Sequence, residues 1–215
     1  MQRCSDVAYA SNGTALALEA DNARYHARTR LLDADDRWSS WSSWDWFETS
    51  PGSITIALPD RPVVDLPPVV GSGTTSSTST VLVTTTDPNG YTLRASGMPD
   101  NWGLRSSTGD ELPRWTGSGA RPTPWPVSEG PYFGMSVVSA TGGKDTGRWG
   151  TGASHTNYSN LNYVGLGFAS PVLLHTHGAA ATDHEIVTSY RATIDANQPP
   201  GQYTTTTTYT VTANP

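Results

Sequence analysis

Two stretches near the C-terminus show the clearest two-residue alternation in this 215-residue chain. Residues 185–195 alternate aliphatic or aromatic side chains with more polar ones, as a strand with one buried face does. Residues 203–212 alternate Tyr, Thr and Val on one side with threonine alone on the other. The pattern predicts two strands, the second with a soluble outer face of β-branched threonines, joined by a Pro- and Gly-rich turn at residues 197–201.

Two further strands are predicted on either side of the turn sequence Asp87-Pro-Asn-Gly90. Residues 80–87 are rich in Thr and Val, and residues 91–96 place Tyr91, Leu93 and Ala95 on one face. Because only a short turn separates them, we expect these strands to pair as a hairpin. Residues 133–138 predict another strand, and the Pro-rich residues 97–134 predict long loops with short strands.

Near the N-terminus, residues 24–31 also alternate. The residues on the more polar face are Arg24, His26, Arg28 and Arg30. A helix over residues 15–32 is an alternative on propensity, but it would scatter these arginines around its axis, so the strand is favoured. Downstream, Trp38, Trp41 and Trp44 recur every third residue, which suits a polyproline-II-like segment with the indoles on one face.

The segments Tyr25-His-Ala-Arg-Thr-Arg30 and Trp38-Ser-Ser-Trp-Ser42 resemble the last two strands of a fibronectin type III domain with a Trp-Ser-x-Trp-Ser motif. The resemblance implies a structural ladder in which arginines stack with tryptophans. Its expected members are Arg24, Arg28, Arg30, Trp38 and Trp41. Strand and polyproline-II spacings differ, about 6.6 Å against 9.3 Å, so good interleaving is expected for about one turn. A sugar-binding aromatic platform is the alternative, disfavoured because arginines already stand at matching alternation.

A whole fibronectin type III-like domain needs about 90–100 residues, and residues 1–50 supply only its last strands. We therefore expect residues 1–50 to be the C-terminal part of a truncated domain in a longer parent chain. The missing upstream part would also carry the signal peptide that the N-terminus lacks. The domain boundary is placed near residue 50. A short strand is predicted at residues 54–58, and the Gly/Ser/Thr run at residues 71–79 predicts a loop or flexible linker within a connection over residues 51–80.

The remainder resembles another group of proteins. Thr86-Asp-Pro-Asn-Gly-Tyr-Thr-Leu93, Arg148-Trp-Gly150 and the Gly201-Gln-Tyr-Thr204 ending are similar to signatures of WxL-like and pilin-like bacterial surface sandwiches. The resemblance implies an antiparallel β-sandwich over residues 51–215 and an extracellular, cell-surface location. WxL domains carry Trp-x-Leu where this chain has Tyr209-Thr-Val211, so their peptidoglycan binding is not carried over. The predicted fold class is all-β: a partial fibronectin type III-like sandwich followed by a larger antiparallel β-sandwich.

Composition and charge limit the kinds of partner, membrane segment and covalent crosslink that the chain is expected to have. The net charge of −6 disfavours nucleic acid. No apolar run reaches membrane-spanning length, so no membrane segment is expected in this stretch. Cys4 is the one cysteine, which excludes an intramolecular disulfide. Lys144 is the one lysine and lies in a Gly-rich loop, so an isopeptide crosslink is not expected.

Two kinds of site are weighed. His175, His177 and His184 are a weak candidate for zinc, since their spacing follows no metal signature, and no metal or other cofactor is predicted. No Gly-x-Ser-x-Gly sequence marks a nucleophile, so no enzyme activity is expected. The other candidate is a glycan site built from loop tryptophans, which would otherwise plug the ends of the core. These tryptophans are Trp102, Trp115, Trp125 and Trp149.

Together these features predict a non-catalytic structural or adhesive module of a larger bacterial cell-surface protein. Its expected partners are cell-wall polysaccharide or other surface proteins. The alternative is a carbohydrate-binding module that uses the loop tryptophans on a cell-wall or host glycan.

Overall fold

A computed structural model of the chain is nearly all β, as the sequence predicts. It describes residues 24–28, 30, 35, 37–48, 52–59, 63–98, 103–115, 122–125, 130–156, 158–166 and 171–215. The chain divides into two compact units, Met1–Gly52 and Ser53–Pro215. This division lies two residues beyond the boundary that the sequence predicts.

The first unit contains one described pair of strands, β1 (Arg24–Ala27) and β2 (Asp45–Glu48). They pair antiparallel, with Arg24 opposite Glu48 and Ala27 opposite Asp45. Strand β1 covers the first half of the alternating segment that predicted a strand. The tryptophan-rich residues 39–44 lie outside the strands, directly before β2.

The second unit contains the remaining described strands and one short helix. In chain order the strands are β3 (Ile54–Ala57), β4 (Gly73–Thr85), β5 (Tyr91–Ser96), β6 (Leu104–Ser106), β7 (Glu111–Leu112), β8 (Thr123–Pro124), β9 (Tyr132–Ala140), β10 (Asn162–Tyr163), β11 (Val172–His177), β12 (Ala181–Ile194), β13 (Tyr203–Thr204) and β14 (Thr208–Ala213). Helix α1 (Thr146–Trp149) follows β9, and a 3-10 turn spans Tyr158–Asn160.

The strands form a main sheet in the order β3-β4-β12-β9 and a second sheet in the order β11-β5-β14. Smaller sheets, β13-β6-β7 and β10-β8, flank them, and all these ladders are antiparallel. The long central pair β4–β12 places Gly73 opposite Ile194 and Thr85 opposite Ala181.

The two larger sheets enclose the main hydrophobic core, so the unit is a β-sandwich. Val83 and Ile186 from the main sheet are fully buried with Leu93 and Leu174 from the second sheet. Burying a side chain of this size contributes about 1.5–3 kcal/mol. Strands β5 and β12 turn toward this core the faces that the sequence predicts, and alternate residues of β4 are buried as well.

A second, smaller core covers the opposite face of the main sheet. It contains Trp125, Val138, Leu161 and Tyr163, with Val187 packed against it. The central strand β12 is therefore covered on both faces, which explains why its polar residue Arg191 is buried along with its apolar ones.

Two sequence predictions are wrong in this unit. Strands β4 and β5 do not pair as a hairpin, because β4 belongs to the main sheet and β5 to the second. The predicted turn is present, with Gly90 N–H donating to the Asp87 carbonyl, but it forms an arch that carries the chain from one sheet to the other. The Gly/Ser/Thr run at residues 73–79 is not a linker but the first half of β4, paired along its length with β12.

The C-terminal threonine run alternates as predicted but is shared between two sheets. Its outer threonines are exposed, and Tyr203, Tyr209 and Val211 are half-buried. Residues 205–207 lie between β13, which pairs with β6, and β14, which pairs with β5. In the part of the chain that the structure describes, no helix is long and apolar enough to cross a membrane.

Candidate functional site

The guanidinium groups of the first unit stack against its tryptophans. Arg30 lies over Trp38 at 4.0 Å and over Trp41 at 4.5 Å, measured from Cζ to the ring centroid. Arg28 lies over Trp41 at 4.3 Å and over Trp44 at 4.5 Å. The resulting order is Trp38–Arg30–Trp41–Arg28–Trp44, and we call these five side chains the ladder.

Local geometry explains the ladder. Continuing the β1–β2 register beyond Ala27 and Asp45 brings Arg28 opposite Trp44. Arg28 and Arg30 stand two residues apart, while the tryptophans recur every third residue, and over only two arginines the difference between these spacings does not interrupt the stacking. The ladder extends one tryptophan further than the sequence analysis predicts. The side chain of Arg24, another expected member, lies outside the described structure.

The ladder is on the protein surface. Trp38 is 54 % exposed, Trp41 40 % and Trp44 61 %, and the neighbouring Trp46 is 55 % exposed. A cation–π contact at an exposed site contributes about 0.5–1 kcal/mol. Trp41 contacts both guanidinium groups and is therefore the central member.

Two of the predicted glycan-binding tryptophans are core residues instead. Trp149 is fully buried in the main core, and its Nε1–H donates to the Leu174 carbonyl at 3.1 Å. Trp125 is buried in the second core, and its Nε1–H donates to Thr193 Oγ1 at 3.0 Å. Because neither ring has a face open to solvent, these two residues fit the core alternative that was weighed against a glycan site.

Trp115 is half-buried at the margin of the second core. Its ring centroid lies 5.7 Å from that of Trp125 and 5.2 Å from that of Tyr132, edge to face in the latter pair. Gly134 makes this packing possible, since a Cβ there would lie 2.9 Å from the Trp125 ring. Trp102, the remaining predicted glycan-binding residue, is outside the described residues.

His175, His177 and His184 do lie together, and with Tyr91 they form what we call the histidine cluster. Their ring centroids lie 5.7 Å, 6.0 Å and 6.1 Å from that of Tyr91. His175 and His177 stack on one side of β11, as their spacing predicts, and His177 meets His184 edge to face at 4.3 Å.

The hydrogen bonds of His175 define its tautomer. Its Nε2 lies 3.2 Å from the Gly143 carbonyl, which can only accept, so Nε2 carries the proton. Nδ1 is then the acceptor for the Tyr91 hydroxyl at 3.1 Å. Burial lowers the pKa of His175, and the nearby His177 and His184 lower it further, against a raising effect of the Gly143 hydrogen bond. Burial also lowers the pKa of His184, with a further lowering by His177.

The cluster does not have the arrangement of a metal centre. Within the part of the chain that the structure describes, no three His, Cys, Asp or Glu side chains come together as metal ligands would. The edge-to-face packing of His177 on His184 instead joins the rings to one another.

Three further features were not predicted. Ser76 Oγ lies 3.2 Å from His155 Nδ1 and 3.3 Å from the His155 carbonyl, which anchors a loop to β4. The Lys144 ammonium donates to the Val137 and Gly152 carbonyls, and burial lowers its pKa. A groove of about 440 Å³ runs between β6 and residues 202–206, lined by Met98, Arg105 and several hydroxyl groups. The groove lies beside residues 205–207, where the chain passes from β13 to β14. Threonines alternate without interruption through this segment, so the sequence gives no sign of the break between the two strands.

Comparison with protein-family models, with curated proteins and with solved structures finds no match for this chain. The functional conclusion therefore rests on the geometry of the chain itself.

Proposed function

We propose that this chain is a non-catalytic structural and adhesive module of a bacterial cell-surface protein, one part of a larger extracellular chain. The observation that carries the proposal is the ladder, in which two arginines and three tryptophans stack at 4.0–4.5 Å on the protein surface. The resemblance of this segment to fibronectin type III strands supports the same role.

The ladder favours a structural role because its side chains contact one another. Each guanidinium lies over two indoles and Trp41 contacts both arginines, so stacking within the chain accounts for the arrangement without a ligand. Four contacts of about 0.5–1 kcal/mol each stabilise the arrangement of the ladder residues, of which Trp41 and Trp44 belong to the described residues 39–44 outside the strands. Such a stabilised arrangement suits a spacer within a multi-domain surface protein.

The second unit supports an adhesive role. The outer threonines of residues 203–212 are exposed and uncharged, and their hydroxyl groups can donate and accept hydrogen bonds. This surface suits a hydroxyl-rich partner such as cell-wall polysaccharide, or another surface protein. Trp125 and Trp149 are buried, so they stabilise the sandwich and are not part of this binding surface.

Co-sedimentation with purified bacterial cell walls tests the adhesive role. The full chain is expected to pellet with walls that carry their polysaccharide and to leave the polysaccharide chemically unchanged. Walls stripped of polysaccharide are the control. Equal recovery in the supernatant with both preparations would contradict adhesion to polysaccharide, and release of soluble sugar would contradict a non-catalytic role.

A carbohydrate-binding module is the second candidate, and the exposed indoles of Trp38, Trp44 and Trp46 favour it. Sugar rings stack on such surfaces. The two candidates differ in the response to Trp44→Ala: a glycan platform loses affinity for soluble oligosaccharide, whereas a structural ladder loses stability. Quenching of tryptophan fluorescence by a panel of cell-wall oligosaccharides measures the first effect.

A further inference from the structure

The histidine cluster lies where three connections of the second unit meet. Tyr91 follows the arch at residues 86–90, His177 and His184 flank the connection from β11 to β12, and Gly143 belongs to the loop after β9. The arch is packed against β11 so closely that a Cβ on Gly90 would lie 2.0 Å from the His177 carbonyl oxygen. That carbonyl also accepts a hydrogen bond from Asn214 Nδ2 at 2.8 Å, which ties the end of β14 to the same point.

The cluster joins both sheets of the sandwich through aromatic rings. Tyr91 of β5 stands opposite His177 of β11 in the second sheet, while His184 stands on β12 of the main sheet, opposite Val83 of β4. The only backbone with positive φ outside glycine among the described residues is Asp183, directly before His184, at a register shift between β12 and β4. The four rings therefore link strands of both sheets at this end of the sandwich.

The charged groups on the surrounding elements have other partners. Asp87 of the arch accepts from the Asn89 N–H, and Asp183 accepts from Thr84. On the loop after β9, Asp145 accepts from the Arg148 N–H and Lys144 donates to carbonyls. Glu185 alternates to the opposite side of β12 from His184 and is exposed. Tyr91 is the titratable group in ring contact with the three histidines, and its hydroxyl already donates to His175.

A histidine that becomes protonated in this cluster therefore has other imidazole rings as its neighbours. Protonation of His175 removes the acceptor of the Tyr91 hydroxyl, because the new proton occupies Nδ1. Nδ1 of His184 is buried with no hydrogen-bond partner among the described residues, so a proton placed there would be buried without an acceptor. Both events disfavour the closed arrangement.

We propose that the histidine cluster is a pH-sensitive latch, in which neutral imidazoles hold the arch and the β11–β12 connection closed and protonation releases this end of the sandwich. The lowered pKa values of His175 and His184 agree with this direction. An unfolded or opened histidine titrates near 6.5. Closed-state stability is therefore fully present above about pH 6.5 and falls as the pH drops below it, because the open state binds more protons.

Amide hydrogen exchange of the full chain tests the latch without any substitution. Protection factors at Thr92 and Leu93 of β5, which pairs with both β11 and β14, are measured at pH 7.5 and pH 5, with Ser79 in the middle of the β4–β12 pair as the internal reference. We expect Thr92 and Leu93 to lose protection by about tenfold for each unit by which the pKa of a cluster histidine is lowered, up to about 30-fold for one histidine at pH 5, while Ser79 changes less. Equal changes at all three positions would overturn the latch.

Nuclear magnetic resonance titration of the five histidines provides the second readout. His175 is expected to titrate below about 6.5; titration at or above that value would also overturn the proposal. His184→Gln removes one titrating ring and is expected to reduce the pH dependence of protection. His155→Gln, which changes a histidine outside the cluster, is the matched control and should keep it. If His184→Gln does not fold, the two measurements on the unsubstituted chain still decide.

Discussion

The hydroxyl groups of Tyr190 and Tyr209 lie 2.6 Å apart and join the two sheets of the second unit. Tyr190 belongs to β12 of the main sheet and Tyr209 to β14 of the second. Thr188 Oγ1 adds a contact to the Tyr209 hydroxyl at 3.0 Å. Polar groups in a core must be paired, and this pairing also fixes which face of β14 is turned inward.

Tyr209→Phe tests this connection. The substitution leaves the Tyr190 hydroxyl in a largely buried site without its closest partner, so we expect a loss of about 1–3 kcal/mol in the free energy of unfolding. Tyr203→Phe is the control, since the Tyr203 hydroxyl bonds to Pro199 and Gln198 nearer the surface and its loss should cost less. Urea denaturation measures both, and equal stability of Tyr209→Phe and the parent chain would contradict the role assigned to the pair.

Gly90→Ala tests the arch between the sheets. Gly90 has φ of +78°, and its Cβ would meet backbone atoms of His177 and Ala179 at 2.0–2.7 Å. Gly71 has φ of +75° with nothing within 4 Å, so Gly71→Ala carries the backbone strain alone. We expect Gly71→Ala to cost about 1–2 kcal/mol and Gly90→Ala clearly more. Similar thermal denaturation midpoints for the two variants would show that the arch can move away from β11.

Trp149→Ala tests whether Trp149 is a core residue, with half-buried Trp115 for comparison. Complete burial of Trp149 predicts a loss of about 3–5 kcal/mol. Trp115, which is only half-buried, should cost less when replaced by alanine. Chemical denaturation followed by circular dichroism compares the two. A Trp149→Ala variant as stable as Trp115→Ala would mean that the Trp149 side chain is not part of the core.

Stability at alkaline pH should report on Tyr91. Burial raises the pKa of Tyr91 to about 12. A raised pKa in the folded state gives stability that is fully present below the unfolded value of about 10 and is lost as the pH rises toward 12. Tyr91→Phe should be less dependent on pH in this range. Tyrosinate absorbance identifies the transition, and normal ionisation of every described tyrosine near pH 10 would contradict the burial of Tyr91.

Local pattern predicts much of this fold. Alternation correctly assigns the faces of β5 and of the C-terminal threonine run, because one side of each strand is more deeply covered than the other. For β12 it identifies the face that enters the main core, but the second core also covers the opposite face. The same reasoning fails for the β4–β5 connection. Asp87 to Gly90 specify a turn, but pairing with β12 and β11 lies far along the sequence and decides which sheet each strand joins.

The candidate sites show the same difference between features set by local sequence and features set by contacts far along the chain. Arg28, Arg30 and the tryptophans are close in sequence, and a resemblance to the last two strands of a fibronectin type III domain is enough to suggest that they stack. Burial of Trp125 depends on contacts with Thr193 and Tyr163, which no local pattern reveals. Serine- and threonine-rich β4 likewise suggests a linker until its partner strand is known.

The central claim is that the ladder has a structural role. Its most direct test is a double substitution, Arg28→Ala with Arg30→Ala, in the full chain. The four cation–π contacts predict a loss of roughly 2 kcal/mol in the stability of the first unit, read from amide exchange over residues 37–48. Arg105→Ala, which changes an exposed arginine of the second unit paired with Glu111 at 3.8 Å, is the control and should leave that exchange unchanged.

Binding of the double variant to soluble cell-wall oligosaccharide is measured in parallel. A structural ladder predicts faster exchange in residues 37–48, with any oligosaccharide binding by the parent chain retained. Unchanged exchange together with lost oligosaccharide binding would contradict it and identify the ladder as a ligand platform.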